Sequence, residues 1–488
     1  MRLKELFASI PQAEILGKGE TEITGISYSS KEIQPGNLFA ALKGEKTDGL
    51  SFVDEALANG AAAVLSEGPK PENMDKPWVR TDDPRFAMAL ASAVFFEHPS
   101  RELKVVGITG TKGKTTTTFI LEKILQKAGL FPGVIGTISY RGPGWTAEAK
   151  RTTPESPDIQ KMMRIWADNG ATHCLLEVSS HSLELKRVIG IEFDVTVFTN
   201  LSGEHLDYHH SMEKYFLAKK KLFELKGRKR MAVINSDDPW GKKLIQEIKM
   251  GIITFGLEQG ALIRAEQHTL KKDGIEIRLK YPGGFLNLSS SLLGLPNLYN
   301  IMAATAAALT LNISLSAIEA GVSALKSIPG RFQTVENSLG LYIFVDYSHT
   351  DAALRNALET MRVLNPGKII VVFGAGGDRD TYKRERMGEA AGTLADHVII
   401  TNDNPRSEDP MAIISSIESG VKKSGRREYS IIPDRREAIK TAIDIGTSGD
   451  CILVAGKGHE NYQIIKDKTF AFDDVEVIRE ILDQTGKT

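Results

Sequence analysis

The sequence predicts an α/β protein of three domains, two of them built on mostly parallel sheets. Three observations carry this. From about residue 104 onward, short β-branched runs alternate with helix-periodic segments, as buried parallel strands and their covering helices do. Breaks at Glu97-His98-Pro99-Ser100-Arg101 and Ser327-Ile328-Pro329-Gly330 divide the chain into 1–100, 101–328 and 329–488. A length of 488 residues exceeds what one hydrophobic core supports.

The first domain carries Ile26-Ser27-Tyr28-Ser29-Ser30-Lys31, an apolar strand after Pro35-Gly36, and an alanine-rich segment, Phe52 to Ala63, that reads as a helix. In the second, strands are expected at Val134 to Ile138, Cys174 to Val178, Val195 to Thr199 and Met231 to Ile234. Between Ala261 and Leu293 the pattern shifts to period two around Lys271-Lys272-Asp273-Gly274, a hairpin signal, before a helix from Asn297 to Leu311. The third, Rossmann-like, domain has strands at Tyr342 to Val345, Ile369 to Phe373, Val398 to Thr401 and Ile452 to Ala455. Each runs into a polar loop, and such strand ends are where open α/β sheets bind ligands.

The most informative stretch is V-V-G-I-T-G-T-K-G-K-T-T-T-T, Val105 to Thr118. A strand leads into a glycine turn and then a helix. Gly110 and Gly113 let backbone N–H groups converge on an anion at a helix N-terminus. Lys114 supplies a charge to outer phosphates, and the Thr115 hydroxyl suits a magnesium ligand. The strict P-loop pattern fails at Ile108, leaving the shorter T-G-T-x-G-K-T, so ATP binding is the first expectation.

Composition excludes several classes. With 61 basic and 62 acidic residues the net charge is -1, which gives no general attraction to nucleic acid or anionic membranes. The N-terminus lacks the apolar core of a signal peptide, and no run of about eighteen apolar residues occurs, so a cytoplasmic protein without membrane insertion is expected. Two cysteines, Cys174 and Cys451, lie in apolar runs and read as reduced, buried thiols.

Glu177 and His205 stand just beyond neighbouring strands of the phosphate-loop domain and could complete a magnesium site; capping explains them equally well. Lys219-Lys220-Lys221 reads, from composition alone, as a solvated helix face. Arg406, after a proline-fixed turn, and Arg379 in the adjacent loop suit an acidic ligand.

These pieces together resemble the Mur ligases of peptidoglycan synthesis, most closely their diaminopimelate-adding branch. The resemblance covers essentially the whole chain and rests on T-G-T-K-G-K-T, T-T-P at Thr152 to Pro154, E-V-S-S-H, H-L-D-Y-H from His205, N-L-Y-N at Asn297 to Asn300, G-R-F from Gly330, G-G-D-R-D, D-N-P-R and G-K-G-H-E. It implies an ATP-dependent amide ligase and a monomer. The first domain would bind the UDP-muramoyl-dipeptide, the central P-loop ATPase domain would bind ATP, and the third would bind meso-diaminopimelate. By the resemblance, Thr115, Glu177 and His205 would be magnesium ligands, and Lys219, carbamylated by CO2, would hold a second magnesium. Gly110, Thr111, Gly113, Lys114 and Thr116 would contact ATP, with Asn297 and Asn300 on the adenine side and Arg331 and Asp346 at phosphates and ribose. Lys114, Lys219, His205 and Glu177 form the catalytic set. Ser29, Thr152, Thr153, Ser179 and Arg187 would take the UDP substrate. Arg379, Asp403, Asn404, Arg406, Gly456 and Glu460 would receive the amino acid.

The chain departs from the family pattern at Lys112 (usually Asn), Glu204 (usually Asp), His209-His210 and Ser348 to Asp351. Lys112 in particular could alter nucleotide affinity. The alternatives are a lysine-adding ligase, against which Arg406 speaks, and a non-catalytic ATP-binding homologue, against which the intact lysines and magnesium set speak. A folate-polyglutamate ligase shares the loop but has no muramoyl-binding first domain.

Overall fold

The computed structural model describes residues 1–44, 47–225, 230–364 and 367–484. It divides into two compact units. The first comprises Met1–Arg264, Lys280–Gly283 and Asn300–Gly321; the second, Ala265–Leu279, Gly284–Tyr299 and the chain from Val322 onward.

The first unit begins with a five-stranded sheet in the order Glu14–Leu16, Trp78–Arg80, Ala63–Ser66, Asn37–Ala40, Gly25–Ser27. The helix Pro84–Phe95 packs Met88 and Ala91 with Leu38, Leu65 and Val79 in one core cluster. Its start is fixed by Pro84 in the first turn and by Asp83, whose side chain accepts from Phe86 N. His98, before Pro99, is left-handed with φ 51°, outside the right-handed helical region that a following proline disfavours. The single helix expected over Phe52 to Ala63 is instead a 3-10 turn, Gly49–Phe52, and a short helix, Val53–Ala58. The Asn59-Gly60 turn ends that helix, and Ala63 opens a strand because its small, buried side chain faces the sheet core.

A second sheet of this unit runs Gly251–Gly256, Met231–Asn235, Val195–Phe198, Lys104–Thr109, His173–Glu177, Pro132–Ile135, all parallel, then continues antiparallel through Ser139–Gly142 and Trp145–Glu148. Lys104–Thr109 lies between His173–Glu177 and Val195–Phe198, with Ile108 level with both Glu177 and Val197. Three loops therefore leave adjacent carboxyl ends together: the glycine loop, the segment after Glu177, and the segment after Phe198.

The strands Ile263–Lys271, Gly274–Tyr281 and Gly284–Ser290, most of whose residues belong to the second unit, are successive sheet neighbours, so the expected hairpin is the first turn of a three-stranded meander. A six-stranded sheet follows in the order Gln333–Val335, Tyr342–Asp346, Cys451–Ala455, Ile369–Phe373, His397–Ile400, Tyr429–Ile431, parallel except for its first pair. Its residues alternate between two cores. Val371, Phe373, Val398 and Leu453 pack with helices Asp351–Leu364, Tyr382–Leu394 and Pro410–Lys423, whereas Ile370, Val372, Ile399 and Val454 pack with Arg435–Ile445 and Asp474–Gln484. Cys174 and Cys451 are both free and buried. Among the described residues no helix is long and apolar enough to cross a membrane.

One ion pair braces the strand ends of this sheet. Arg435 and Asp474, both side chains 0% exposed, meet through Nε and NH2 at 2.7 Å each, and Arg435 also donates to the carbonyls of Ala455 and Asn402. Replacing Asp474 with Ala strands a buried guanidinium and is expected to destabilise the second unit by about 3–5 kcal/mol. Denaturant unfolding followed by circular dichroism measures it.

Candidate active site

The strand Lys104–Thr109 ends in the loop Gly110–Gly113, and the helix Lys114–Lys127 begins directly after it. Gly110 has φ 147° and Gly113 φ 89°, and a Cβ at either would overlap a neighbour, the Thr199 hydroxyl at Gly110 and the Asn300 amide oxygen at Gly113. Only glycine fits this cradle. Lys114 Nζ donates to the carbonyls of Gly110 at 2.9 Å and Thr111 at 3.0 Å, folding its charge back over the turn. Thr116, the third residue of the helix, is buried, and Asn300 lies buried beside Gly113 and within 3.5 Å of the Thr117 hydroxyl.

Glu177, 1% exposed, faces the same turn. Its carboxylate accepts from the Thr115 hydroxyl at 2.9 Å, the Thr137 hydroxyl at 2.8 Å and the Thr137 backbone N–H at 3.2 Å. A carboxylate and a hydroxyl beside a phosphate cradle are hard oxygen donors suited to magnesium. Among the described residues no group of three or more His, Cys, Asp or Glu could hold a metal by itself, so an ion here would draw its remaining ligands from phosphate oxygens and water. Thr137 was not anticipated from sequence; its only signal is the glycine before it, where a Cβ would overlap the Glu177 carboxylate.

The three lysines of the helix Met212–Glu224 separate by helical geometry. Lys221 pairs with Glu184 at 2.8 Å, and Lys220 with Glu247 at 2.8 Å. Lys219 points inward, 1% exposed, donates to Gly110 O at 2.9 Å and lies 4.6 Å from the centre of the Tyr215 ring. Burial, reinforced by the Lys114 charge, holds its pKa well below the ordinary lysine value. The solvated-face expectation thus holds for two lysines and fails for the third. A lysine whose proton is held less firmly than usual is a better nucleophile and a weaker counter-ion than an exposed one.

His205 has φ 58° and is exposed on its outer side, with the His181 ring 5.0 Å away, centre to centre. Loss of solvent around the imidazole lowers its pKa to about 4, against the opposing pull of the Glu204 charge and with His181 and Lys114 reinforcing it, so the ring is neutral at neutral pH and can ligate a metal.

The residues expected at the UDP substrate form a second group. The Thr153 hydroxyl donates to Glu177 O at 2.8 Å and accepts from Ser179 N at 3.1 Å, and Arg187 donates to Thr153 O at 3.0 Å. Thr152 lies 3.1 Å from the Thr137 hydroxyl, which ties this group to Glu177. Ser29 stands apart, at the start of the 3-10 turn Ser30–Glu32, where its side chain makes no capping bond. A 650 Å³ cavity bounded by Ile10, Phe86, Leu183 and Val188 contains none of these residues.

In the second unit, three adjacent strand ends gather the amino-acid set. Asn404 donates to Glu460 at 2.8 Å and accepts from Ile464 N at 2.9 Å. Arg406 donates through NH1 to Gly377 O at 2.7 Å, whereas Arg379 is exposed. A Cβ on Gly456 would overlap the carboxylate of Asp403, which is itself buried. Burial, with the Asp403 charge, raises the pKa of Glu460. Lys457, fully buried, reaches Asn404 Oδ1 at 3.2 Å and Glu460 at 3.7 Å; sequence reasoning missed it because a lysine in a polar loop ordinarily reads as exposed. Asp346 accepts from Phe332 N at 2.7 Å and from the Ser348 hydroxyl, and Arg331 lies 4.9 Å from the Tyr347 ring centre. Asn297 donates to Leu293 O at 2.8 Å. The phosphate and metal residues therefore belong to the first unit, and Asn297, Arg331, Asp346 and the amino-acid set to the second.

Replacing Gly110 with Ala imposes backbone strain of about 1–3 kcal/mol, a loss of about 10- to 100-fold in nucleotide affinity. Calorimetric titration with a non-hydrolysable ATP analogue checks it, with unchanged circular dichroism as the control.

Three domain models match the chain: the Mur ligase family catalytic domain over residues 22–101, the Mur ligase middle domain over 108–308, and the Mur ligase glutamate ligase domain over 330–458. Similar proteins include UDP-N-acetylmuramoyl-L-alanyl-D-glutamate--2,6-diaminopimelate ligases from Geobacter metallireducens, 44% identical over 98% of each chain, and from Solibacter usitatus, 41% identical over 100% of this chain and 99% of that one. A solved structure bearing the same enzyme name covers 100% of both chains at 33% identity, with a TM-score of 0.70. With three of the family's domain models matched in succession and relatives aligned from end to end, the chain belongs to the Mur ligase family.

Proposed function

We propose that the protein joins meso-diaminopimelate to UDP-N-acetylmuramoyl-L-alanyl-D-glutamate at the expense of ATP, a step of peptidoglycan precursor synthesis. The observation that carries the catalytic reading is the buried Lys219 amine, held with Lys114 on the Gly110 carbonyl of a phosphate loop. The choice of amine rests on the names of the relatives and on Arg406. Residues 1–100 bind the UDP end of the substrate, 101–328 bind ATP and 329–488 bind the amino acid. As a consumer of ATP the enzyme is assigned to the cytoplasm, and the reading calls for a monomer.

The γ-phosphoryl group of ATP passes to the D-glutamyl side-chain carboxylate, giving an acyl phosphate and ADP. The diaminopimelate amine then attacks the acyl carbon, phosphate leaves, and an amide remains with loss of a proton. Backbone N–H groups of the glycine loop and the Lys114 ammonium hold the phosphates, while Thr153, Ser179 and Arg187 hold the acceptor. Thr115 and Glu177, and His205 with a carbamylated Lys219, would hold magnesium, which would supply positive charge to neutralise the transferred group. The Lys219 amine condenses with CO2, releasing a proton. Its remaining N–H still donates to Gly110, while the new carboxylate replaces a donor with two acceptors. In the second unit, Glu460 and Asn404 receive the substrate's amino group, and Arg406 pairs with the carboxylate that lysine lacks.

An assay of meso-diaminopimelate, L-lysine and L-ornithine side by side tests the substrate. Turnover with diaminopimelate alone is expected; faster turnover with lysine favours the lysine-adding reading, and no amide with any of the three removes the ligase reading. In the Arg406→Met variant, kcat/KM for diaminopimelate is expected to fall roughly 100-fold, as when one partner of a charge pair is truncated.

Carbamylation has its own readout. Activity is expected to fall in buffer stripped of CO2 and to return on addition of bicarbonate. An enzyme indifferent to CO2 and without a carbamate carbon signal in 13C NMR excludes the modification.

A further inference from the structure

Lys112 and Glu204, two of the positions where this chain departs from the family pattern, meet each other. Lys112 Nζ lies 3.1 Å from Glu204 Oε1, with the lysine side chain 34% and the glutamate 13% exposed. The pair closes a lacing that runs between two loops. Thr111 N donates to Asn200 O at 2.8 Å, and Ser202 N to the Thr111 hydroxyl at 3.0 Å. Asn200 brackets the Lys112 peptide, accepting from its N–H at 3.0 Å and donating to its carbonyl at 3.1 Å, and the Thr199 hydroxyl donates to the same carbonyl at 2.6 Å. Every one of these bonds except the ion pair involves backbone on at least one side. Among the bonds just named, the ion pair is the one that joins side chain to side chain, and it does so at the residue before His205, whose backbone is left-handed.

We infer that Lys112 and Glu204 are a positioning pair that locks the His205 loop to the phosphate loop, so that cradling the triphosphate and placing the His205 ring become one event. The inference rests on reading the glycine loop as the ATP site. It also decides what Lys112 does there. Its charge is answered within the protein by Glu204, so its contribution to nucleotide binding runs through the geometry of the loop rather than as a spare cation facing phosphate. Neither residue touches the reacting atoms. Both act through His205 and the backbone of the cradle.

A double-mutant cycle on the full-length enzyme tests the pair: Lys112→Met, Glu204→Gln, both together, and the reversed pair Lys112→Glu with Glu204→Lys. The readouts are the affinity for a non-hydrolysable ATP analogue with magnesium, the apparent magnesium affinity, and KM for ATP against kcat. Each single neutralisation is expected to weaken analogue binding about 3- to 10-fold, the double to cost no more than one single, and the reversed pair to recover part of the loss. A magnesium affinity that falls with either single variant marks the link to His205, which a merely structural pair would not move. Effects that multiply in the double variant, or a loss confined to Lys112→Met, overturn the inference, because Lys112 would then meet the phosphates directly. The cycle is read by binding, so a parent enzyme that binds the analogue but forms no amide refutes the proposed reaction and leaves this result standing. A parent that does not bind the analogue refutes both.

Discussion

A single carbonyl oxygen, that of Gly110, accepts hydrogen bonds from two lysines, Lys114 and Lys219, each at 2.9 Å. Two ammonium groups cannot share one neutral acceptor in a buried site without a large electrostatic penalty. Lys219 is the deeper of the two, and burial and the Lys114 charge both hold its pKa well below the ordinary lysine value. The resulting asymmetry divides the labour, since the buried amine holds its proton less firmly than an ordinary lysine does. Everything else in the first unit serves that convergence. Gly110 must be glycine because Thr199 stands where a Cβ would be, and the helix Met212–Glu224 must present only Lys219 inward.

The parallel sheet makes such convergence possible. Glu177 is level with Ile108 on the neighbouring strand, so a carboxylate 62 positions later in sequence reaches the Thr115 hydroxyl at 2.9 Å. Thr137 then holds the carboxylate by hydroxyl and backbone together, which orients it. The second unit repeats the arrangement. Adjacent strands deliver Asp346, Gly374, Asn402 and Gly456 to one edge, and Arg435 anchors two of those strand ends from below with its buried charge.

The α/β class and the alternation of strands and helices were legible because buried parallel strands leave continuous apolar runs, and each expected strand of the two parallel sheets is present within a few residues. The phosphate loop was legible because glycine spacing is a backbone requirement written directly in sequence. Lys219 was not, from composition: three consecutive lysines look alike until the helix places them about 100° apart, and only the family resemblance set that one aside. Thr137, Lys457 and the Lys112–Glu204 pair escaped for a related reason. Each is defined by a partner far along the chain, and a lone threonine or lysine carries no periodic signal of its partner. The segment Phe52 to Ala63 misled in the other direction, since alanine favours a helix yet also fits a crowded strand interior, and tertiary packing decided between them.

The backbone stores strain at the ligand-facing loops. Of the ten non-glycine residues with positive φ among the described residues, His205, Asp378 and Arg406 are among those in loops that leave strand ends. Such a conformation costs on the order of 1 kcal/mol or more and persists only where surrounding bonds over-determine it. Arg406 is held on both sides of its own residue, donating from N to Ile464 O at 3.1 Å and accepting at O from Lys466 N at 2.7 Å. Asp378 is held by the Ser407 hydroxyl at 2.6 Å and, through its N–H, by Glu408, which Arg384 clamps in turn with two bonds of 2.8 Å. These bonds hold the backbone of Arg406, and its guanidinium is held separately by the bond from NH1 to Gly377 O at 2.7 Å. In the proposed reaction a substrate carboxylate would meet a guanidinium already tethered at one end, which lowers the side-chain entropy lost on pairing. A ligand without that carboxylate would offer it no such partner, so the strained loop would serve discrimination as well as binding.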